Sequence, residues 1–246
     1  MSIKHSSEEP FIADKLRAKL REDPFYLAKI TLNEEEIQRI HRAIEEYMQV
    51  AAPVFEDLSQ AGYKLNRLSD LSRKKTYCNR STYTVVVPIL LNWLSQIDDL
   101  RVRWDIVSAL SVKWAKPIAA PALISEFLRA PDYEVSSYKW AVGNALSVVA
   151  DDSVFEDIVR LVTDRRHGKA REMLAVALGN MKDPRAVDVL IELLEDDEVA
   201  GHALIALRKL KAEKARPHIE RFLNHPKTWV RNEAKKALEK LNRNHS

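Results

Sequence analysis

At 246 residues the chain is long enough for one large domain or two small ones. Its 46% hydrophobic and 30% charged residues exclude a disordered chain, and five glycines are too few for the turns and bulges of a β protein of this size. The net charge of +3 says little, but the lone Cys78 excludes an intramolecular disulfide and a multi-cysteine zinc site, which fits a reducing cytoplasm. No apolar run approaches the roughly 18 residues that span a bilayer. The opening MSIKHSSEEPF lacks the apolar stretch of a secretory signal, so a cytoplasmic all-α protein is expected.

Residues 1–81 read as an N-terminal helical cap region, with 1–8 expected to be disordered. TLNEEEIQRIHRAIEEYMQV opens with Thr31 and Glu34 at a capping-box spacing, and Ile37, Ile40, Ala43, Ile44 and Met48 recur at helical intervals. Pro53 is expected to start or kink the next helix, and Gly62 stands where a C-terminal cap belongs. The segment SRKKTYCNRSTY (72–83) reads as a basic loop before the repeats.

From residue 82 to 246 the chain repeats as a single continuous domain of about five helix pairs. Five segments align on an Ala-Leu pair: VRWDIVSAL, YKWAVGNAL, AREMLAVAL, VAGHALIAL and VRNEAKKAL. Their leucines, Leu110, Leu146, Leu178, Leu207 and Leu238, are spaced by 36, 32, 29 and 31 residues. An apolar helix precedes each: VVVPILLNWL, AAPALISEFL, SVFEDIVRLV, RAVDVLIELL and ARPHIERFL. Pro88, Pro121 and Pro217 share a register there and are expected in first helical turns, where the missing N–H has no partner anyway. The turns IDDLR, APDYE, EDDEV and NHPKT are expected to cap the second helix of each pair. A lone pair cannot bury its apolar face, so stacking must supply the core.

The stretch DPRAVDVLIELLEDDEV, with Ala-Leu-Gly-Asn-Met before it, resembles the HEAT-like repeats first named in phycobiliprotein lyases. The resemblance covers roughly residues 82–242. It implies a right-handed α-α superhelix, a HEAT-like solenoid, whose second helices (the B helices) line a concave face. The family includes chromophore lyases, hydroxylases, adaptors and relatives of DNA-repair glycosylases, so the resemblance fixes architecture better than function.

Trp104 and Trp140 occupy one position of successive B helices and would form an aromatic platform on that face; the competing reading packs both rings as core. The same register adds Asp105, Ser108, Asn144, Glu172, Val176, His202, Ile205, Asn232 and Lys236. Such mixed chemistry suits a protein partner better than a phosphate track. Arg103, Lys139, Arg171 and Arg231 recur at the second position of helix B. They would make a cationic stripe for nucleic acid or, as the stronger expectation, an inter-repeat ladder with the acidic turns. In the basic loop Arg73, Lys74, Lys75, Tyr77 and Arg80 would meet an acidic or nucleic-acid partner, and their charge would make Cys78 more nucleophilic; a solvated loop is the stronger expectation. Residues 208–246 carry 12 Lys+Arg against 4 Asp+Glu, which reads as a polar capping helix or an acidic-partner surface.

None of the seven histidines sits in a repeated His-Glu pair, the pattern of the iron-binding hydroxylases on this architecture. HExxH, a Gly-rich phosphate loop and GxSxG are absent from the sequence. No catalytic residue, metal or cofactor is therefore expected. The reading is a non-catalytic scaffold, adaptor or inhibitor that holds another protein in its groove. One alternative is a DNA-binding or base-excising protein in which Trp104 and Trp140 meet the lesion and Asp105 stabilises a cationic sugar. Another is a lyase-like holder of a flat ligand, for which Cys78 is the sole thiol.

Overall fold

A computed structural model describes residues 34–131 and 137–243; Thr31, Asp132 and residues 1–8 lie outside them. The chain divides into two compact units, with the boundary between Ala52 and Pro53. Helix α1 (Glu34–Gln60) runs through that boundary with Pro53 inside it, so this proline starts no new helix. Gly62 ends the helix in the left-handed region at φ 93°. Its N–H reaches the carbonyl of Ser59 at 3.0 Å and that of Tyr63 reaches Leu58 at 2.8 Å, the paired bonds of a glycine C-cap.

In the second unit a short helix α2 (Asp70–Arg73) precedes five pairs. The first helices of the pairs are α3 (Arg80–Gln96), α5 (Ala120–Arg129), α7 (Phe155–Thr163), α9 (Ala186–Leu193) and α11 (Arg216–Glu220). Their B helices are α4 (Leu100–Leu110), α6 (Ser137–Val149), α8 (Glu172–Leu178), α10 (Ala200–Leu210) and α12 (Thr228–Asn242). Each first helix packs on its own B helix, and the B helices form a continuous layer: α4 on α6, α6 on α8, α8 on α10, α10 on α12. The unit is an all-α repeat solenoid, and among the described residues there is no strand.

The repeated Ala-Leu pair explains the tight B layer. Ala109, Ala145, Ala177, Ala206 and Ala237 are at most 1% exposed, so the layer closes over methyl groups. Leu110, Leu146, Leu178 and Leu207 are buried beside them, each contributing about 1.5–3 kcal/mol by leaving water. Two glycines tighten the contact further. A Cβ on Gly143 would lie 2.9 Å from the carbonyl oxygen of Ala170, and one on Gly179 would lie 2.7 Å from the Cα of Ala206.

Pro121 and Pro217 stand in first turns, as their register predicts. Pro88 does not: it lies inside α3. The helix starts earlier because the Asn79 side chain accepts the N–H of Thr82 at 3.0 Å, an N-cap strong enough to nucleate helix ahead of the proline. Asp99 caps α4 as expected, accepting from Arg101 and Val102, and its carboxyl is held below the ordinary carboxylate range chiefly by the Arg101 side chain. The NHPKT turn, against expectation, gives α12 no side-chain cap: its His225 Nδ1 accepts the N–H of Lys227, the residue before the helix, at 3.2 Å. No helix of the described residues is long and apolar enough to cross a membrane.

Candidate functional site

The cations at the second position of helix B point inward. Arg103 is 6% exposed, Lys139 4% and Arg171 1%, so these side chains cannot form a surface stripe for phosphates. Arg103 Nε donates to Glu126 Oε1 at 2.9 Å, and Glu126 comes from α5 of the following pair. The Tyr138 hydroxyl, from α6, donates to the same oxygen. Burial first, and then the neighbouring Glu126 carboxylate, push the Tyr138 hydroxyl above its ordinary pKa. Arg171 reaches Asp196 and Glu198 at 2.8 Å each, in the turn before α10. Burial is the largest influence on the Asp196 carboxyl and works to raise it, but the Arg171 hydrogen bond, the Glu198 N–H and the charges of Arg171 and Arg165 together outweigh it and leave its pKa low. The ladder is thus built from the following pair's carboxylates rather than from each cation's own turn. Arg231 departs from it and bonds the backbone oxygens of His225 and Pro226.

With the cations inside, the outer face of the B layer is left to the neighbouring register positions. Trp104, Asp105 and Ser108 on α4 are half-buried, as are Asn144 on α6, Glu172 and Val176 on α8, and His202 and Ile205 on α10. Trp140, Asn232 and Lys236 are exposed. The Trp104 ring leans on Tyr138, with centroids 5.6 Å apart, so one face is covered. Trp140 is 38% exposed, and its Nε1 donates to Glu172 Oε2 at 3.1 Å.

Glu172 also faces His202, with Nε2 to Oε2 at 3.9 Å. On its other side the imidazole meets the indole of Trp229, centroids 5.6 Å apart. The result is a continuous line across four B helices, Trp140–Glu172–His202–Trp229, with an exposed indole at each end. Burial pulls the His202 pKa below its ordinary value, while Glu172 and Glu233 pull the other way without reversing it.

Trp229 is the member that register alone does not find. The position equivalent to Trp104, Trp140 and Glu172 on α10 is Gly201. Trp229 stands earlier in its own helix and reaches back over that glycine. An aromatic at the second position of a B helix, beside a glycine in the preceding repeat, is the sequence signal.

The basic segment 72–83 is not one loop. Arg73 ends α2 and Arg80 starts α3. Lys74 pairs with Asp70 at 2.8 Å, and the Tyr77 ring packs edge-on to Tyr63. Cys78 is a half-buried free thiol beside Tyr83, whose buried hydroxyl donates to the Ala109 carbonyl at 2.8 Å. Among the described residues no group of His, Cys, Asp and Glu is arranged to hold a metal.

Residues 120–201 match the family model described as HEAT repeats. No curated protein matches the chain. Among solved structures it is similar to a designed armadillo repeat protein, YIII(Dq.V1)4CPAF, in complex with the peptide (KR)4. That likeness has 14% identity and a TM-score of 0.46, and covers 86% of this chain and 95% of that one. Residues 120–201 are thus HEAT-like repeats, and the same helix pair recurs on either side of them.

Proposed function

We propose that the chain is a protein-interaction scaffold that holds a partner on the outer face of its B helices. The observation that carries this reading is the line from Trp140 to Trp229. Two indoles, 38% and 45% exposed, stand over a closed layer, and between them Glu172 is held by the Trp140 N–H and His202 lies against the Trp229 ring. Large, rigid aromatics dominate binding hot spots because they bury much area at little entropic cost. Stacked repeats offer such residues along an extended surface. The buried, paired cations favour a protein partner over nucleic acid, since they leave the middle repeats without a phosphate track.

The test is affinity capture from the native host, comparing the natural chain with the Trp140→Ala and Trp229→Ala double variant. Both side chains are exposed ends of the line, so circular dichroism should show an unchanged fold. A protein retained by the natural chain and lost from the variant supports the reading. Identical captured sets from two equally folded chains would sink it.

A further inference from the structure

The last two B helices end side by side around an open cleft of about 620 Å³. Its walls hold six cations: Arg208, Lys209 and Lys211 from the end of α10, and Lys236, Lys240 and Arg243 from α12. Cations at helix C-termini are common because they offset the macrodipole. Here they exceed that need. Two helix ends supply about one negative charge between them, and Glu233 and Glu239 add two more formal charges at the cleft, so about half of the cationic charge is left over.

The charges also differ in how they are held. Arg208 and Lys236 both pair with Glu233, and Lys209 donates to Asn180. Lys211, Lys240 and Arg243 are exposed and have no carboxylate partner among the described residues. Lys211 is held in the left-handed conformation at φ 53°, which costs a non-glycine residue about 1 kcal/mol or more and aims the chain out of the helix end.

We infer that this cleft receives an acidic segment of a protein partner, with Asp or Glu side chains seated among Lys211, Lys240 and Arg243. The inference deepens the scaffold reading by giving the partner's charge, and it rests on that reading. Carboxylates fit better than a nucleic-acid backbone for two reasons. The cationic charge stops at the last two pairs, since residues 81–168 hold 9 Lys+Arg against 11 Asp+Glu, so phosphates would have no track to follow. Apolar Ile205 also lines the cleft one turn beyond His202, which joins it to the aromatic line and lets one extended peptide engage both.

The test uses the full chain and three fluorescent probes: an eight-residue poly-glutamate peptide, its poly-lysine counterpart and a short DNA duplex. Anisotropy is read at low and at physiological salt. The expected result is salt-sensitive binding of poly-glutamate alone, weakened at least tenfold by Lys211→Asn, Lys240→Gln and Arg243→Gln together. Asparagine keeps the left-handed cap accessible. The control removes three exposed charges elsewhere, Arg160→Gln, Lys169→Gln and Lys182→Gln, and should weaken binding less than threefold. Equal weakening by both triple variants, absence of poly-glutamate binding, or tighter binding of the duplex at the same residues would each overturn the inference. Loss of the cleft with partner capture still dependent on Trp140 and Trp229 would leave the scaffold reading standing. Binding at the cleft with capture unchanged in the tryptophan variant would do the reverse.

Discussion

The indole of Trp229 fills the space that a side chain on Gly201 would need: a Cβ built there lies 1.9 Å from Cη2 of the ring. Gly201 sits inside α10, where glycine costs about 1 kcal/mol relative to alanine. The obstacle is the far end of an exposed side chain, which can swing into water. Gly201→Ala is therefore expected to change stability by less than about 1 kcal/mol, because the helix gain offsets the lost ring contact. The readout is tryptophan emission, as a difference against a Trp229→Phe background. A red shift attributable to Trp229 is expected, and an unshifted spectrum with lost stability would show that the ring cannot move.

Gly179 makes the opposite case. Its absent Cβ would lie 2.7 Å from both Cα and Cβ of Ala206, and backbone cannot step aside. Gly179→Ala must push α8 away from α10 in the tightest part of the B layer. Overpacking of this kind costs about 1–3 kcal/mol. Urea unfolding should show a lower midpoint at unchanged slope, and a variant as stable as the natural chain would contradict the close approach.

The buried Arg103–Glu126 pair predicts a non-additive cycle. Glu126→Leu alone strands a buried guanidinium, at about 3–5 kcal/mol. Adding Arg103→Met removes the stranded charge and should restore more than half of that loss. The Tyr138 hydroxyl also loses its acceptor, so full recovery needs Tyr138→Phe as well. Additive losses in denaturant unfolding would mean that the two charges do not depend on each other.

His202 sets a direction with pH. Its folded-state pKa lies below its ordinary value, with burial as the main cause and Glu172 and Glu233 opposing. The fold thus favours neutral imidazole. The stability it confers is fully present above the unfolded pKa of about 6.5, declines as pH falls through that value, and is gone below the folded pKa. The natural chain should lose more melting temperature between pH 7.5 and 5 than His202→Gln does. Equal losses would remove His202 as the source.

The five pairs were legible because two signals coincided, the Ala-Leu spacing and an apolar helix before it. The alanines proved to be the methyl floor of the B layer, which is why their spacing is so regular. The outer line was legible in part. Trp140, Glu172 and His202 fall in register and do come together. Trp229 escaped because it reaches across from another register, and Glu126 because an acidic residue in SEFL reads as solvent-facing until its partner 23 residues earlier is known. Pro88 misled because proline marks a helix start only where no cap stands upstream, and Asn79 stands there.

The buried cations divide the solenoid unequally. Among the described residues a fully internal charge crosses from the first pair to the second through Arg103, and from the third to the fourth through Arg171. The junction of the second and third pairs is bridged by polar groups such as Trp140–Glu172 and Asn180–Ser147, and that of the fourth and fifth by Lys214–Asp188 at the surface and by the partly exposed Arg208–Glu233. The module that can be excised, duplicated or grafted without parting a fully internal cation from its carboxylate is accordingly two repeats long, with its seams ahead of Asp151 and ahead of Glu213.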